Sequence, residues 1–392
     1  MKRILIVVLL ALLVHLSARS QGIMITDTVE AVSLKNNLIG ESTRQSIAVY
    51  LPLSYQLFGE KHYPVIYFLP EYGETPACYI KGYFNGFFLE KSMNELTLSS
   101  KIAEMIVVIV NGYNRLEGSF FHNSPVTGNW EDFVVKDVVK HIDSLYRTLP
   151  QKESRAIIGL SMGGYGAFEL AMSHPNMFSV CVAQNAFLAR PGDMTKTPMF
   201  RDPQQIRRTY HLIDYLGQFS VEEAHRRYLD TIASIGRKGD WMMMMGLAYA
   251  SAFAPNASIR APYIDYPYFI TEDDALILNP DILKRYEEGI GSFDAKVKKH
   301  SRQLKKLHGI GIVYGKSDLF RWIPAGNERL DSLLTARRIK HKTWVNDGGH
   351  GEQLRQQMEE AVLPFISELL DFNMGNAIHR TVKAGTQTPS QR

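Results

Sequence analysis

"IIGLSMGGYGAFELA" occupies Ile157–Ala171, and its reading decides how the whole chain is understood. An apolar run leads in and a helix-like run leads out. Between them Ser161 stands two residues from Gly159 and two from Gly163. A G-x-S-x-G between a buried strand and a helix is the pattern of a nucleophile elbow, a strained turn that lifts a serine hydroxyl above the end of a strand. Side chains at positions 159 and 163 would clash with the adjoining strand and helix, so the turn needs glycine at both. The helix start behind Ser161 favours developing negative charge, and the Met162 N–H is placed to donate to an oxyanion. A bare G-x-S-x-G also fits an ordinary glycine-rich turn, and only its context separates the two.

That context is a series of short runs rich in Val and Ile: "SIAVYLPLSY" (46–55), "PVIYFLP" (64–70), "EMIVVIVNG" (104–112), "RAIIGLS" (155–161), "FSVCVAQNA" (178–186), "GIGIVYGKSD" (309–318) and "HKTWVNDGGH" (341–350). Apolar runs without alternation suit a parallel sheet buried on both faces. Helical patterns lie between them. Residues 129–146 place Val134, Val138, Ile142 and Leu145 on one stripe, with Asn129 and Asp132 positioned to cap its start. Residues 351–372 put Leu354, Met358, Ala361, Val362, Phe365 and Leu369 on one face, with a kink expected at Pro364. Alternation of strands and helices predicts an α/β fold: a mostly parallel sheet flanked by helices and joined by right-handed crossovers. Residues 190–306 break the rhythm. They are mostly helical in pattern, lack buried-strand runs, and read as a cap or lid inserted above the sheet. Within them Met243, Tyr249 and Phe253 fall at helical spacing and read as core ahead of a substrate lining.

A serine hydroxyl becomes a useful nucleophile only when a base takes its proton. In this architecture the acid and then the histidine follow the serine along the chain. Asp318 ends the "GIGIVYG" strand and His350 follows the "HKTWVN" strand, both at carboxyl ends, where open α/β sheets keep their sites. Asp347, three residues before His350, is the competing acid.

The stretches "VYLPLSY", "PVIYFLP", residues 118–148, "RAIIGLSMGGYGAFELAMSHPNMF", "GKSD" and "DGGHG" resemble the esterase family of α/β hydrolases, which has esterase D-like, feruloyl-esterase-like and mycolyltransferase-like members. The resemblance covers most of 33–370. It implies the α/β-hydrolase fold and a hydrolase that needs no cofactor, with Ser161 as nucleophile, Asp318 as acid and His350 as base. One stretch departs from it. Relatives often carry His-Gly after the strand that ends near Leu69, whereas this chain has Pro70-Glu71. The second oxyanion donor would then be the Tyr72 N–H, beside that of Met162, and Glu71 is expected to face solvent.

Composition frames this reading. The 392 residues are 45% hydrophobic and 21% charged, a globular balance. Lys2 and Arg3 precede an apolar run, Ile4–Leu16, too short to span a bilayer, and the small residues Ala18 and Ser20 precede Gln21. Residues 1–20 therefore read as a signal peptide and the protein as secreted or periplasmic. Its removal takes away three basic residues and no acids, so 44 basic residues become 41 against 40 acids, a net charge of about +1. Neither that balance nor any basic stripe favours nucleic acid. Residues 21–372 form the hydrolase domain, and 373–392 read as a disordered tail. Cys78 and Cys181 do not make a disulfide framework. Neither sits in a C-x-x-C, and H-E-x-x-H is absent, so no metal site is signalled. The function expected is a secreted serine esterase acting on a small-molecule or carbohydrate ester. An acyltransferase of the same fold, or a binding module that has lost the chemistry, are the alternatives.

Overall fold

The computed structural model describes residues 21–82 and 85–373. The expected signal peptide and, beyond Asn373, the expected tail lie outside the described residues. Eight strands form one sheet: β1 (Ile23–Glu30), β2 (Arg44–Leu51), β3 (Val65–Leu69), β4 (Ile106–Ile109), β5 (Arg155–Leu160), β6 (Val180–Gln184), β7 (Gly309–Gly315) and β8 (Lys342–Asn346). Their spatial order is β1-β2-β4-β3-β5-β6-β7-β8. β1 pairs antiparallel with β2, and β2 with β4. All other pairs are parallel.

The seven apolar runs become β2 to β8. "SIAVYLPLSY" holds two elements, because Pro52 has no N–H to continue the ladder and the helix Leu53–Leu57 follows it. β1 carries no apolar run. Of its eight residues only Val29 is buried, as an edge strand permits.

Strand side chains alternate between faces, and both faces are covered. Ile47, Val49, Tyr67, Leu69, Ile157 and Ile312 belong to one core. Ala48, Tyr50, Ile66, Phe68, Ile158 and Val313 belong to the other. The second core is closed by α1 (Leu89–Leu98) and a helix at the chain's end, the first by α2 (130–145) and α3 (Met162–Ser173).

Residues Phe133–Val138 of α2 are π-helical, and the wider turn shifts the helical phase. Val134, Val138 and Ile142 of the expected stripe are buried, but Leu145 is 62% exposed. The side chains of Asn129 and Asp132 make no cap bond. Asn123 Oδ1 instead accepts from the Asp132 N–H at 3.1 Å.

Residues 190–306 fold into α4 (Pro203–Gly217), α5 (Val221–Arg237), α6 (Trp241–Phe253) and α7 (Pro280–Ile290), with shorter helical pieces. They also carry a two-stranded hairpin that the sequence pattern does not announce, Tyr268–Ile270 against Leu276–Leu278, whose residues are at most partly buried. α6 is apolar all round and packs on the first core: Phe120 meets Tyr249 at 5.1 Å and Phe253 at 5.7 Å between ring centroids. Met243 and Tyr249 are core residues, and the Tyr249 hydroxyl donates to the Tyr286 carbonyl at 2.6 Å.

Two more helices cover the sheet: α8 (Trp322–Ala336) packs on the first core, and the last helix, α9 (354–369), packs on the second. Met358–Val362 in α9 is again π-helical, just before Pro364, whose ring cannot sit in a regular helix interior. The fully buried face therefore runs Leu354, Met358, Val362, then Leu363, Ile366 and Leu370, while Phe365 and Leu369 pack against the second core only partly buried and Ala361 is half-buried.

Candidate active site

Five neighbouring parallel strands, β3, β5, β6, β7 and β8, bring their carboxyl ends to one edge of the sheet. The residues just beyond those ends are Glu71 and Tyr72, Ser161, Asn185, Asp318 and His350. The parallel pairing alone gathers them.

Ser161 sits at φ 54°, ψ −114°. A non-glycine residue in that region costs about 1–3 kcal/mol, which the surroundings must over-determine. The Ser161 N–H donates to the Gln184 carbonyl at 2.9 Å, and its own carbonyl accepts from Tyr165 and Phe187, each at 3.0 Å. A Cβ on Gly159 would overlap the Gly163 carbonyl, and one on Gly163 would overlap the Leu69 carbonyl oxygen. Strand and helix close on the elbow as the glycine spacing implies. The approach at Gly163 also draws the loop after β3 against the start of α3. Neither the Tyr72 N–H nor the Met162 N–H has a protein acceptor among the described residues. Tyr72 is anchored by its hydroxyl, which donates to the Leu116 carbonyl at 2.9 Å. The rings and side chains of Tyr72 and Met162 converge on Gly118.

Asp318 is fully buried. Its Oδ2 lies 2.6 Å from His350 Nδ1 and accepts from Asn185 Nδ2 at 3.0 Å, while its Oδ1 accepts from the Phe320 N–H at 2.8 Å. The loops carrying Asp318 and His350 are laced together: Lys316 N–H donates to the Asn346 carbonyl and Ser317 N–H to that of Gly348. Asp347, the competing acid, points away to Lys316 Nζ at 3.3 Å, and its side chain is 90% exposed.

Glu71 does not face solvent. Its side chain is 14% exposed, and Oε2 lies 3.5 Å from His350 Nε2 with no hydrogen-bond partner. The loop that hugs the elbow turns this carboxylate inward over the imidazole. His350 thus stands between two carboxylates, one at each ring nitrogen. Burial disfavours its charged form, but the Asp318 and Glu71 carboxylates outweigh burial and push it up to about 9. No hydrogen bond joins Ser161 Oγ to His350 among the described residues. Phe320 completes the surround, its ring edge-on to His350 at 5.2 Å.

Asn185, Glu71 and Phe320 are not announced by the sequence motifs. Asn185 shares the signal that finds Asp318 and His350, a polar residue just past the end of a strand. Its left-handed backbone (φ 40°) aims the side-chain amide at Asp318. Cys181 is buried and Cys78 half-buried, and both are free thiols. No helix of the described residues is long and apolar enough to cross a membrane.

Residues 41–366 match a family model described as "Putative esterase". Among curated proteins, the chain is 24% identical over 211 residues to an endo-1,4-beta-xylanase/feruloyl esterase of Xylanibacter ruminicola, which covers 52% of this chain and 27% of that protein. It is 29% identical over 138 residues to an esterase of Mycobacterium tuberculosis, covering 34% of this chain and 27% of the other. The matched region thus spans about a quarter of the length of these relatives. Among solved structures, a ferulic acid esterase superposes with a TM-score of 0.56 at 20% identity, over 89% of this chain and 99% of that one. An S-formylglutathione hydrolase of Staphylococcus aureus superposes with a TM-score of 0.51 at 13% identity, over 89% and 97%. These likenesses show the fold, and the family match spans most of the sheet and its strand-end loops. The chain belongs to the esterase family, ester hydrolases of the α/β-hydrolase fold.

Proposed function

We propose that the protein is a secreted or periplasmic serine esterase whose nucleophile is Ser161. The observation that carries this reading is the Asp318–His350 pair at 2.6 Å, set on the strand-end loops beside a strained serine elbow. Ser161 Oγ attacks the ester carbonyl as His350 Nε2 takes its proton. Asp318 fixes the ring so that Nε2 faces the reaction, and it stabilises the imidazolium that forms. The free N–H groups of Tyr72 and Met162 receive the oxyanion. His350 then protonates the leaving alcohol, and water releases the acid from the acyl-enzyme. Residues 190–306 serve as the cap over this edge. Labelling by a fluorophosphonate probe together with turnover of 4-nitrophenyl acetate tests the proposal. Folded protein that does neither would sink it.

Glu71 gives the reaction a pH signature. A charged imidazole cannot accept the serine proton, so kcat/KM should climb as pH rises and level off near the imidazole's value of about 9. Removing one of the two carboxylates weakens the hold on the imidazolium. Glu71→Gln should therefore move the rising limb to lower pH and raise kcat/KM at pH 7 by up to about tenfold. The same change should alter stability with the opposite sign. The charged ring stabilises the fold fully below its unfolded value near 6.5, and this contribution is lost as pH rises through about 9. Glu71→Gln should thus melt at lower temperature at pH 6 and nearly level with the parent at pH 10. An unmoved pH limb would show that Glu71 does not govern His350.

A further inference from the structure

Next to the proposed site lies a pocket of about 470 Å³ that combines aromatic rings with basic side chains. Three of its lining residues are aromatic: Trp241, Phe320 and Trp322. Two of these rings tie it to the chemistry. Phe320 stands edge-on to His350, and Trp322 meets Phe187 at 5.6 Å, whose N–H donates to the Ser161 carbonyl. Trp241 packs on Phe320 at 5.9 Å and remains 43% exposed, so an apolar ring surface stays open at the mouth.

Its charge is one-sided. Arg190, Lys196, Arg201 and Arg321 line it against a single acid, Asp193. Asp193 is shared between two of the cations, with Arg190 Nε at 2.9 Å and Lys196 Nζ at 2.7 Å. The guanidinium groups of Arg201 and Arg321 make no hydrogen bond or ion pair with any described residue. Four cations and one anion leave a net charge of +3 around the pocket, whereas the chain without its expected leader carries only about +1. Guanidinium forks left open beside flat apolar walls match a planar anionic group carried on a ring. The volume suits one such ring with its substituents.

We propose that this pocket binds a negatively charged ring of the substrate, a sugar or aryl ring bearing a carboxylate, with Arg201 and Arg321 holding the anion and Trp241 and Phe320 the ring face. The proposal deepens the serine-esterase reading and rests on it for the position of the scissile bond. It makes the enzyme selective for anionic esters without asking anything further of the reacting groups.

Two matched ester pairs test it on the full chain: acetylated methyl glucuronoside against acetylated methyl glucoside, and 4-carboxyphenyl acetate against phenyl acetate. The charged member of at least one pair should be preferred in kcat/KM, and the preference should shrink with added salt. The pair that shows it identifies the ring as sugar or aryl. In an Arg201→Gln/Arg321→Gln variant, kcat/KM on the preferred charged ester should fall about tenfold to a hundredfold. Turnover of 4-nitrophenyl acetate should stay within about twofold, since neither arginine touches the reacting groups. Binding of free glucuronate and of 4-hydroxybenzoate, followed by tryptophan fluorescence, gives a readout independent of turnover. Arginine-dependent binding without any ester turnover would uphold the pocket and remove the esterase reading. Equal rates on charged and neutral partners, equal losses on both in the double variant, or turnover without binding of either anion would overturn the pocket assignment.

Discussion

A Ser161→Ala protein is expected to lose ester turnover to background, a fall of about 10⁶ in kcat if this site behaves as other serine–histidine sites do, and to lose fluorophosphonate labelling with it. The size of the effect follows from what the substitution leaves behind. The elbow's strain belongs to the backbone at φ 54°, which serine and alanine endure alike, and no hydrogen bond from Oγ is lost among the described residues. The N–H and carbonyl of residue 161 keep their bonds to Gln184, Tyr165 and Phe187. Only the attacking atom disappears. Melting temperature and circular dichroism should therefore match those of the parent protein, which separates lost chemistry from lost fold. Labelling that persists at another serine would move the nucleophile elsewhere.

The elements legible in the sequence are those whose burial is extreme. β3 to β7 are hidden on both faces, so each reads as an unbroken apolar run. The elbow reads clearly because two close backbone approaches admit only glycine. β1 is hard to see because it lies at the sheet's edge with one buried residue. The face of α9 shifts from the expected one because a π-helical stretch changes the helical phase, and nothing in a 3.6-residue pattern announces such a stretch. At the site, Ser161, Asp318 and His350 are legible through their order and their places at strand ends. Glu71 is not. Its orientation depends on how the loop after β3 is pulled against α3, a tertiary matter, and local polarity alone argues for solvent. Arg201 and Arg321 lie 120 positions apart in the sequence, so only the fold brings them to one pocket.

Asp318→Asn is expected to lower kcat by about 10⁴, the loss known for the equivalent change in another triad enzyme, while Asp347→Asn should cost less than about threefold. The hydrogen bonds of Asp318 explain why the amide is not tolerated. Oδ2 is approached by two donors, His350 Nδ1–H and Asn185 Nδ2, and Oδ1 by a third, the Phe320 N–H. A carboxylate accepts all three. An amide has one oxygen and one NH₂. With nitrogen at the Oδ2 position, it opposes Asn185 and forces His350 to accept at Nδ1, which leaves the proton on Nε2, where the base must be bare. With nitrogen at the Oδ1 position, it confronts the Phe320 N–H, and in a fully buried site that clash has no solvent to relieve it. Either way the imidazole loses the tautomer or the loop loses its anchor. The pH profile provides the second readout. Removing a carboxylate from His350 Nδ1 should move the rising limb of the residual activity to lower pH, and a purely structural loss would not. Asp347 makes one exposed pair with Lys316, a contact worth at most about 1 kcal/mol to stability. Both variants measured on 4-nitrophenyl acetate, with melting curves to confirm folding, decide the matter. Should Asp347→Asn prove the more damaging, the acid would have to be reassigned.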